Sequence, residues 1–267
     1  MIVFPNAKIN IGLNIVTKRP DGYHNLETIF YPVKIKDALE AITAPQLSFS
    51  SSGITIPGDK ENNLCIKAYE LVNSDFELPP LKIHLHKHIP IGAGLGGGSA
   101  DAAFFIKLIN HQFDLKLSVE DMQNYARKLG ADCAFFIEND PVYAFDKGDQ
   151  FELLELDLSK YVIVLVMPPV HVSTADAYSG VKAEPSAESL KELIKLPVAQ
   201  WRDRIKNDFE KTVIPKYPLI GEVKQALYDA GALYASMSGS GASVFGIFET
   251  LPPLEHLEAK SSVFYNV

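Results

Sequence analysis

Only two cysteines occur in the chain, Cys65 and Cys133, and they lie far apart. Two thiols so separated supply neither a disulfide scaffold nor a zinc site, and they suit a reducing compartment. Basic residues are also short: 25 Lys and Arg stand against 33 Asp and Glu, a formal net charge of −8. An extended nucleic-acid surface is disfavoured on that balance, although backbone dipoles and a few lysines can still hold small anions. No apolar run approaches the ~18–20 residues of a membrane span. The opening MIVFPNAKIN lacks the basic start, apolar stretch and cleavage site of a secretory signal, and it enters a strand-like pattern at once. These absences leave a cytoplasmic globular protein with neither nucleic acid nor membrane as partner. Its 267 residues, 47% of them hydrophobic, are enough for a substantial core.

What is present is a mixed pattern. Residues 7–15, AKINIGLNI, alternate: Ile9, Ile11, Leu13 and Ile15 take one face, and Lys8, Asn10, Gly12 and Asn14 the other, as in a half-buried strand. A turn at 20–24 leads to strands predicted over 28–35 and 38–43. A helix is predicted over 61–73, a strand over 81–89, and a helix after the glycine stretch with Ser99 as N-cap. Ser118 to Leu129 reads as another helix, stopped by Gly130. Further strands are predicted at 142–146, 151–155, 161–167, 232–237, 243–248 and 262–266. Short helical pieces fall within 183–205, and a last helix over 216–230. Strands and helices mingle without steady βαβ alternation, so the fold class is α+β rather than a doubly wound sheet. A boundary near 155–160 divides the chain into residues 1–155 and 156–267.

The stretch 92–99, GAGLGGGS, satisfies G-x-G-x-x-G through Gly92, Gly94 and Gly97. No lysine follows it, which excludes a Walker-type loop. A dinucleotide fingerprint needs a second strand ending in an acid about 20 residues on, and FDLKLSVEDM instead reads as a loop entering a helix. Neither a V-A-I-K strand nor an H-R-D segment follows, so the protein-kinase loop is absent. What survives is an anion site: glycines let backbone N–H groups converge at the positive end of a helix. The alternative is a surface turn that binds nothing.

The loop has companions. AKINIGLNI (7–15), DGYHNLET (21–28), PIGAGLGGGSADAA (90–103), LGADCAFF (129–136) and SGSGASVF (238–245) together resemble the superfamily of galactokinase, homoserine kinase, mevalonate kinase and phosphomevalonate kinase. Within it they resemble the family of 4-diphosphocytidyl-2-C-methyl-D-erythritol kinases. The resemblance implies ATP-dependent phosphorylation of a hydroxyl on the methylerythritol part of that substrate, in the non-mevalonate route to isoprenoid precursors. It implies two domains, an N-terminal ATP-binding one resembling a ribosomal-protein fold and a ferredoxin-like C-terminal one on the substrate side, with the active site between them.

Roles carry over residue by residue. Asp132 matches the catalytic aspartate, a base for the acceptor hydroxyl, although alone it also reads as a cap for Cys133–Ile137. Lys8 matches the active-site lysine, whose charge would keep the aspartate ionised and stabilise developing negative charge. Pro90, Ile91, Gly92, Ala93, Gly94, Leu95, Gly96, Gly97, Gly98, Ser99 and Ala100 match the ATP-binding loop, with Asp101 marking the helix start. Substrate binding falls to Asn10 by hydrogen bonding, and to Tyr23, His24 and Tyr178 around the cytosine, with Thr174 in Tyr178's segment. Mg²⁺ is implied by the charge on ATP, with Ser99 a candidate ligand. Asn207-Asp208 matches a family pair but also reads as a helix N-cap. His84, His86 and His88 share a strand face with Lys82 and read as a solvated surface, and Cys133 as a small buried thiol. The role of 238–241 and the oligomeric state stay open.

Overall fold

In the computed structural model, which describes every residue except Ala187, the alternation seen at 81–89 becomes a strand over Leu81–Lys87. Its inward side chains Leu81, Ile83 and Leu85 are sealed from water, while Lys82 and His86 stay exposed. This strand belongs to a first compact unit built from Met1–Ala7, Ile35–Ile91 and Gly96–Asp140. Its sheet runs Ile2–Val3, Ala38–Thr43, Leu81–Lys87 and Ser48–Gly53 in spatial order. The pairing is antiparallel except at the last pair, which is parallel. The strand Ser48–Gly53 escapes a reading by apolar pattern because SFSSSG has no alternation to show. Backbone pairing with a well-patterned neighbour makes it a strand.

The helices Leu64–Phe76, Gly97–Gln112 and Val119–Leu129 complete this unit. Ala102, Phe105, Ile106 and Ile109 of the middle helix are all fully buried. The third helix begins and ends as its sequence signals indicate. Ser118 and Asp121 form a reciprocal capping box, and Gly130 occupies the C-cap.

The second unit comprises Lys8–Lys34, Gly92–Leu95 and Pro141–Val267. Each unit is thus assembled from separate stretches, whereas the sequence suggests a single boundary after residue 155. One sheet has the order Asn6–Lys18, His24–Lys36, Val142–Phe145 and Gln150–Leu153. The other has the antiparallel order Tyr234–Met237, Val244–Phe248, Val162–Met167 and Ser262–Phe264. The helix Pro218–Asp229 sends Ile220, Val223 and Leu227 into a core with Val164, Val166, Val244 and Phe248. Leu13 and Ile15 join the same cluster. Full burial of each such side chain contributes about 1.5–3 kcal/mol.

The first long strand corrects its own pattern. Its apolar face is buried as expected, but Lys8 and Asn10 on the polar face are also only 3% exposed. Alternation reports which residues share a face; it does not report whether the second face is wet.

Candidate active site

Lys8 sits on the strand Asn6–Lys18 of the second unit. Its ammonium donates to Asn10 Oδ1 at 2.5 Å and to the Gly94 carbonyl at 3.0 Å, and lies 4.8 Å from the centre of the Phe30 ring. The reading of Lys8 as an exposed strand lysine does not survive this burial. Asn10 in turn donates its side-chain NH₂ to Thr28 Oγ1 at 3.0 Å, and Thr28 donates to the Gly12 carbonyl at 2.6 Å. Both ends of the Asn10 carboxamide therefore serve the network that holds Lys8.

The loop Ser238–Gly241, left without a role by the sequence, is fastened to the same place. Ser238 Oγ accepts from the Asn10 backbone N–H at 3.1 Å and donates to the Gly94 carbonyl at 2.9 Å. The Asn207 side chain donates to the carbonyls of Met237 and Gly239, each at 2.8 Å, and accepts from the Phe209 N–H. Asn207 is thus a loop anchor as well as a turn former. The helix Glu210–Lys216 has Phe209 at its N-cap and no side-chain cap. Gly94 has φ +75°, and a Cβ there would lie 2.0 Å from the Ser238 carbonyl oxygen. Only glycine fits.

In the first unit the end of the glycine stretch, from Gly96 on, opens the helix Gly97–Gln112. Its N-cap is Gly96 in the left-handed region, so Ser99 falls inside the first turn instead of capping it. The reason is local: Gly96 adopts φ +69°, and the Ala100 N–H closes the first turn on the Gly96 carbonyl at 2.8 Å. Asp101 lies correspondingly deeper in the helix. A glycine cap offers no side-chain acceptor, which leaves the amides of Gly97, Gly98 and Ser99 without intrahelical partners. The Ser99 hydroxyl instead meets the Cys133 thiol, which burial pushes up to about 11. That contact joins the helix start to the turn Ala131–Ala134, where Asp132 is half-buried. The following helix Phe135–Glu138 has Ala134, not Asp132, at its N-cap position.

Beneath the helix start lies a cluster that the sequence reading misses. Lys87 Nζ donates to Asp37 Oδ2 at 2.5 Å and to Asp101 Oδ2 at 2.7 Å, and all three residues are at most 3% exposed. Burial works against the Lys87 charge, but the two carboxylates outweigh it and hold the ammonium above its ordinary range. Burial raises Asp101 to about 7 despite Lys87 beside it. The available signal is Lys87 itself, in register with Ile83, Leu85 and Ile89 on the core face. A cavity of about 490 Å³ in this unit is lined by Gly98 and Asp101 together with Thr55, Asn62, Asn63 and Leu64.

Among the expected substrate residues of the second unit, His24 and Tyr178 stack at 5.0 Å and 25°, and Tyr178 meets Phe209 edge-on at 4.7 Å. Tyr23 is 65% exposed, with Lys147 Nζ 5.8 Å from its ring centre. Thr174 is exposed at the start of the short helix that ends at Tyr178. His84 and His86 hydrogen-bond Ser50 and Ser52 on an outer strand face. Among the described residues no three His, Cys, Asp or Glu side chains converge to hold a metal ion.

Two family descriptions match the chain: GHMP kinases N terminal domain over residues 63–139, and GHMP kinases C terminal over residues 183–261. The 4-diphosphocytidyl-2-C-methyl-D-erythritol kinase of Parabacteroides distasonis is 54% identical over 93% of this chain and 92% of its own length. That of Bacteroides thetaiotaomicron is 52% identical over 99% of this chain and 98% of its own. A crystal structure titled 4-(cytidine 5'-diphospho)-2C-methyl-D-erythritol kinase superposes with a TM-score of 0.85 at 27% identity, covering 99% of this chain and 98% of that one. The chain is a small-molecule kinase that belongs to the GHMP kinases, in their 4-diphosphocytidyl-2-C-methyl-D-erythritol kinase family.

Proposed function

We propose that the chain transfers the γ-phosphoryl group of ATP to a hydroxyl on the methylerythritol part of 4-diphosphocytidyl-2-C-methyl-D-erythritol. The observation that carries most weight is Lys8, an ammonium 3% exposed whose hydrogen bonds include two to neutral oxygens. Desolvating such a charge costs several kcal/mol, a cost that makes sense where negative charge develops during reaction.

Asp132 serves as the base. Its carboxylate accepts the acceptor's proton as that oxygen bonds to the γ-phosphorus and the bond to the β–γ bridging oxygen breaks, releasing ADP. Lys8 supplies positive charge to the same step. The first-turn amides of Gly97, Gly98 and Ser99 hold phosphate oxygens at the helix's positive end. The cavity of about 490 Å³ beside Gly98 falls within the size range of nucleotide-sized sites and takes the adenosine. Tyr23, His24 and Tyr178 receive the cytosine, by stacking and by a hydrogen bond from the imidazole, with Thr174 beside them. Asn10 orients Lys8.

Mg²⁺ is read as arriving on the phosphates of ATP, with the Ser99 hydroxyl a candidate ligand in the loop. A cytoplasmic location accords with two free cysteines.

Asp132→Asn tests the reading. ATP affinity is expected to stay within about threefold, because the carboxylate acts on the acceptor, while kcat falls by about 10²–10⁴. Near-normal kcat in that variant contradicts the base assignment.

A further inference from the structure

Three nearly fully buried charges are an expensive way to fill space, since apolar residues of similar volume are often as stable or more so. Their placement in the first unit says what they do. Lys87 Nζ would lie 3.0 Å from a Cβ on Gly97, so the ammonium is seated against the first residue of the glycine-loop helix. Asp101 stands four residues further along that helix, one turn on, and binds the same ammonium. Asp37 binds the ammonium too, and its other oxygen accepts from the N–H groups of His88 at 2.6 Å and Ile89 at 2.8 Å. The chain entering the glycine stretch and the helix leaving it are therefore fastened to one cation. Asp101 also lines the cavity beside Gly98, and its second oxygen, Oδ1, is buried with no hydrogen-bond partner.

We propose that Lys87 and Asp101 are positioning residues for the phosphoryl donor: by pinning the first two turns of the helix they aim the amides of Gly97, Gly98 and Ser99. The proposal rests on the reading of that helix start as the ATP site. Anion binding by backbone N–H groups depends on their convergence, and a helix start that can rotate or fray loses it. Lys87 has a second effect. Two carboxylates beneath a polyphosphate would repel it, and the ammonium offsets one of them.

The test compares Asp101→Leu with Asp101→Asn. Leucine breaks the tie to the helix but leaves Lys87 paired one-to-one with Asp37, so the unit keeps a balanced ion pair. Asparagine keeps an acceptor toward Lys87 and the side-chain shape. Asp101→Leu is expected to weaken MgATP binding at least about tenfold, the scale of one lost charge-assisted tie. The KM for the acceptor should stay within about twofold, and Asp101→Asn should restore nucleotide affinity. If Asp101→Leu does not fold, Asp101→Ser, which is smaller and also leaves Lys87 paired one-to-one with Asp37, carries the same comparison with Asp101→Asn. Unchanged MgATP affinity in Asp101→Leu, or an equal rise for ATP and acceptor, overturns the proposal. Calorimetry of MgATP binding reads the positioning role directly, whereas turnover by the wild-type protein decides the phosphotransfer reading, so the two can fail independently.

Discussion

Lys8 is held from several sides: Asn10 and the Gly94 carbonyl accept from its ammonium, and the Phe30 ring lies beneath it. An ammonium so placed has little rotamer freedom left to lose and is ready to meet developing charge. Lys8→Met should therefore lower kcat by about 10²–10³ while leaving the KM for ATP within about threefold. Lys8→Arg should not rescue it, because a planar guanidinium is larger and hydrogen-bonds as a fork. Steady-state kinetics on both variants checks this, and an activity loss confined to KM would count against the role. At this scale the sequence reveals Lys8 and Asp132 only through the motifs around them. Alternation assigns Lys8 a face but not its burial. Lys87 is legible in principle, as a cation in register with Ile83 and Leu85, but its partner Asp37 comes from a distant part of the chain and no local pattern announces it.

Among the elements, the glycine stretch is the one in which backbone conformation decides most. Gly94 combines φ +75° with a carbonyl oxygen 2.0 Å from any Cβ. Gly94→Ala thus meets strain and a clash with the Ser238 backbone together, and should cost at least about 2–3 kcal/mol of stability. Gly98→Ala is the control, since its nearest neighbour would be a leucine methyl at 3.9 Å. Thermal denaturation of the two should separate them clearly; equal melting temperatures would refute the steric argument. Caps explain what is readable among the elements. Ser118 and Gly130 stand where helix ends need them, and the helix obeys. Ser99 has the same chemistry as Ser118, but Gly96 to its N-terminal side reaches the left-handed conformation first and starts the helix early. The strand Ser48–Gly53 owes its existence to pairing with Leu81–Lys87, which its own residues do not encode.

For the whole molecule, the α+β class follows from element types alone, because class needs only their kinds and rough order. The composition of the two units does not follow. Lys8–Lys34 groups with Pro141–Val267, and Met1–Ala7 with Ile35–Ile91, groupings set by long-range packing that a scan along the chain does not register. The wiring of the Ser238–Gly241 loop to Asn10 and Asn207 has the same origin. Membership of the kinase family rests on motifs spread along most of the chain and on relatives that cover nearly all of it. Such spread constrains the acceptor more than any single loop can. The most direct measurement is ADP release with purified protein, MgATP and three acceptors in turn: 4-diphosphocytidyl-2-C-methyl-D-erythritol, mevalonate and homoserine. The expected result is turnover with the diphosphocytidyl compound and kcat/KM at least about 10³-fold lower with the other two, which offer nothing to Tyr23, His24 and Tyr178. Turnover with mevalonate or homoserine and none with the diphosphocytidyl compound would contradict it.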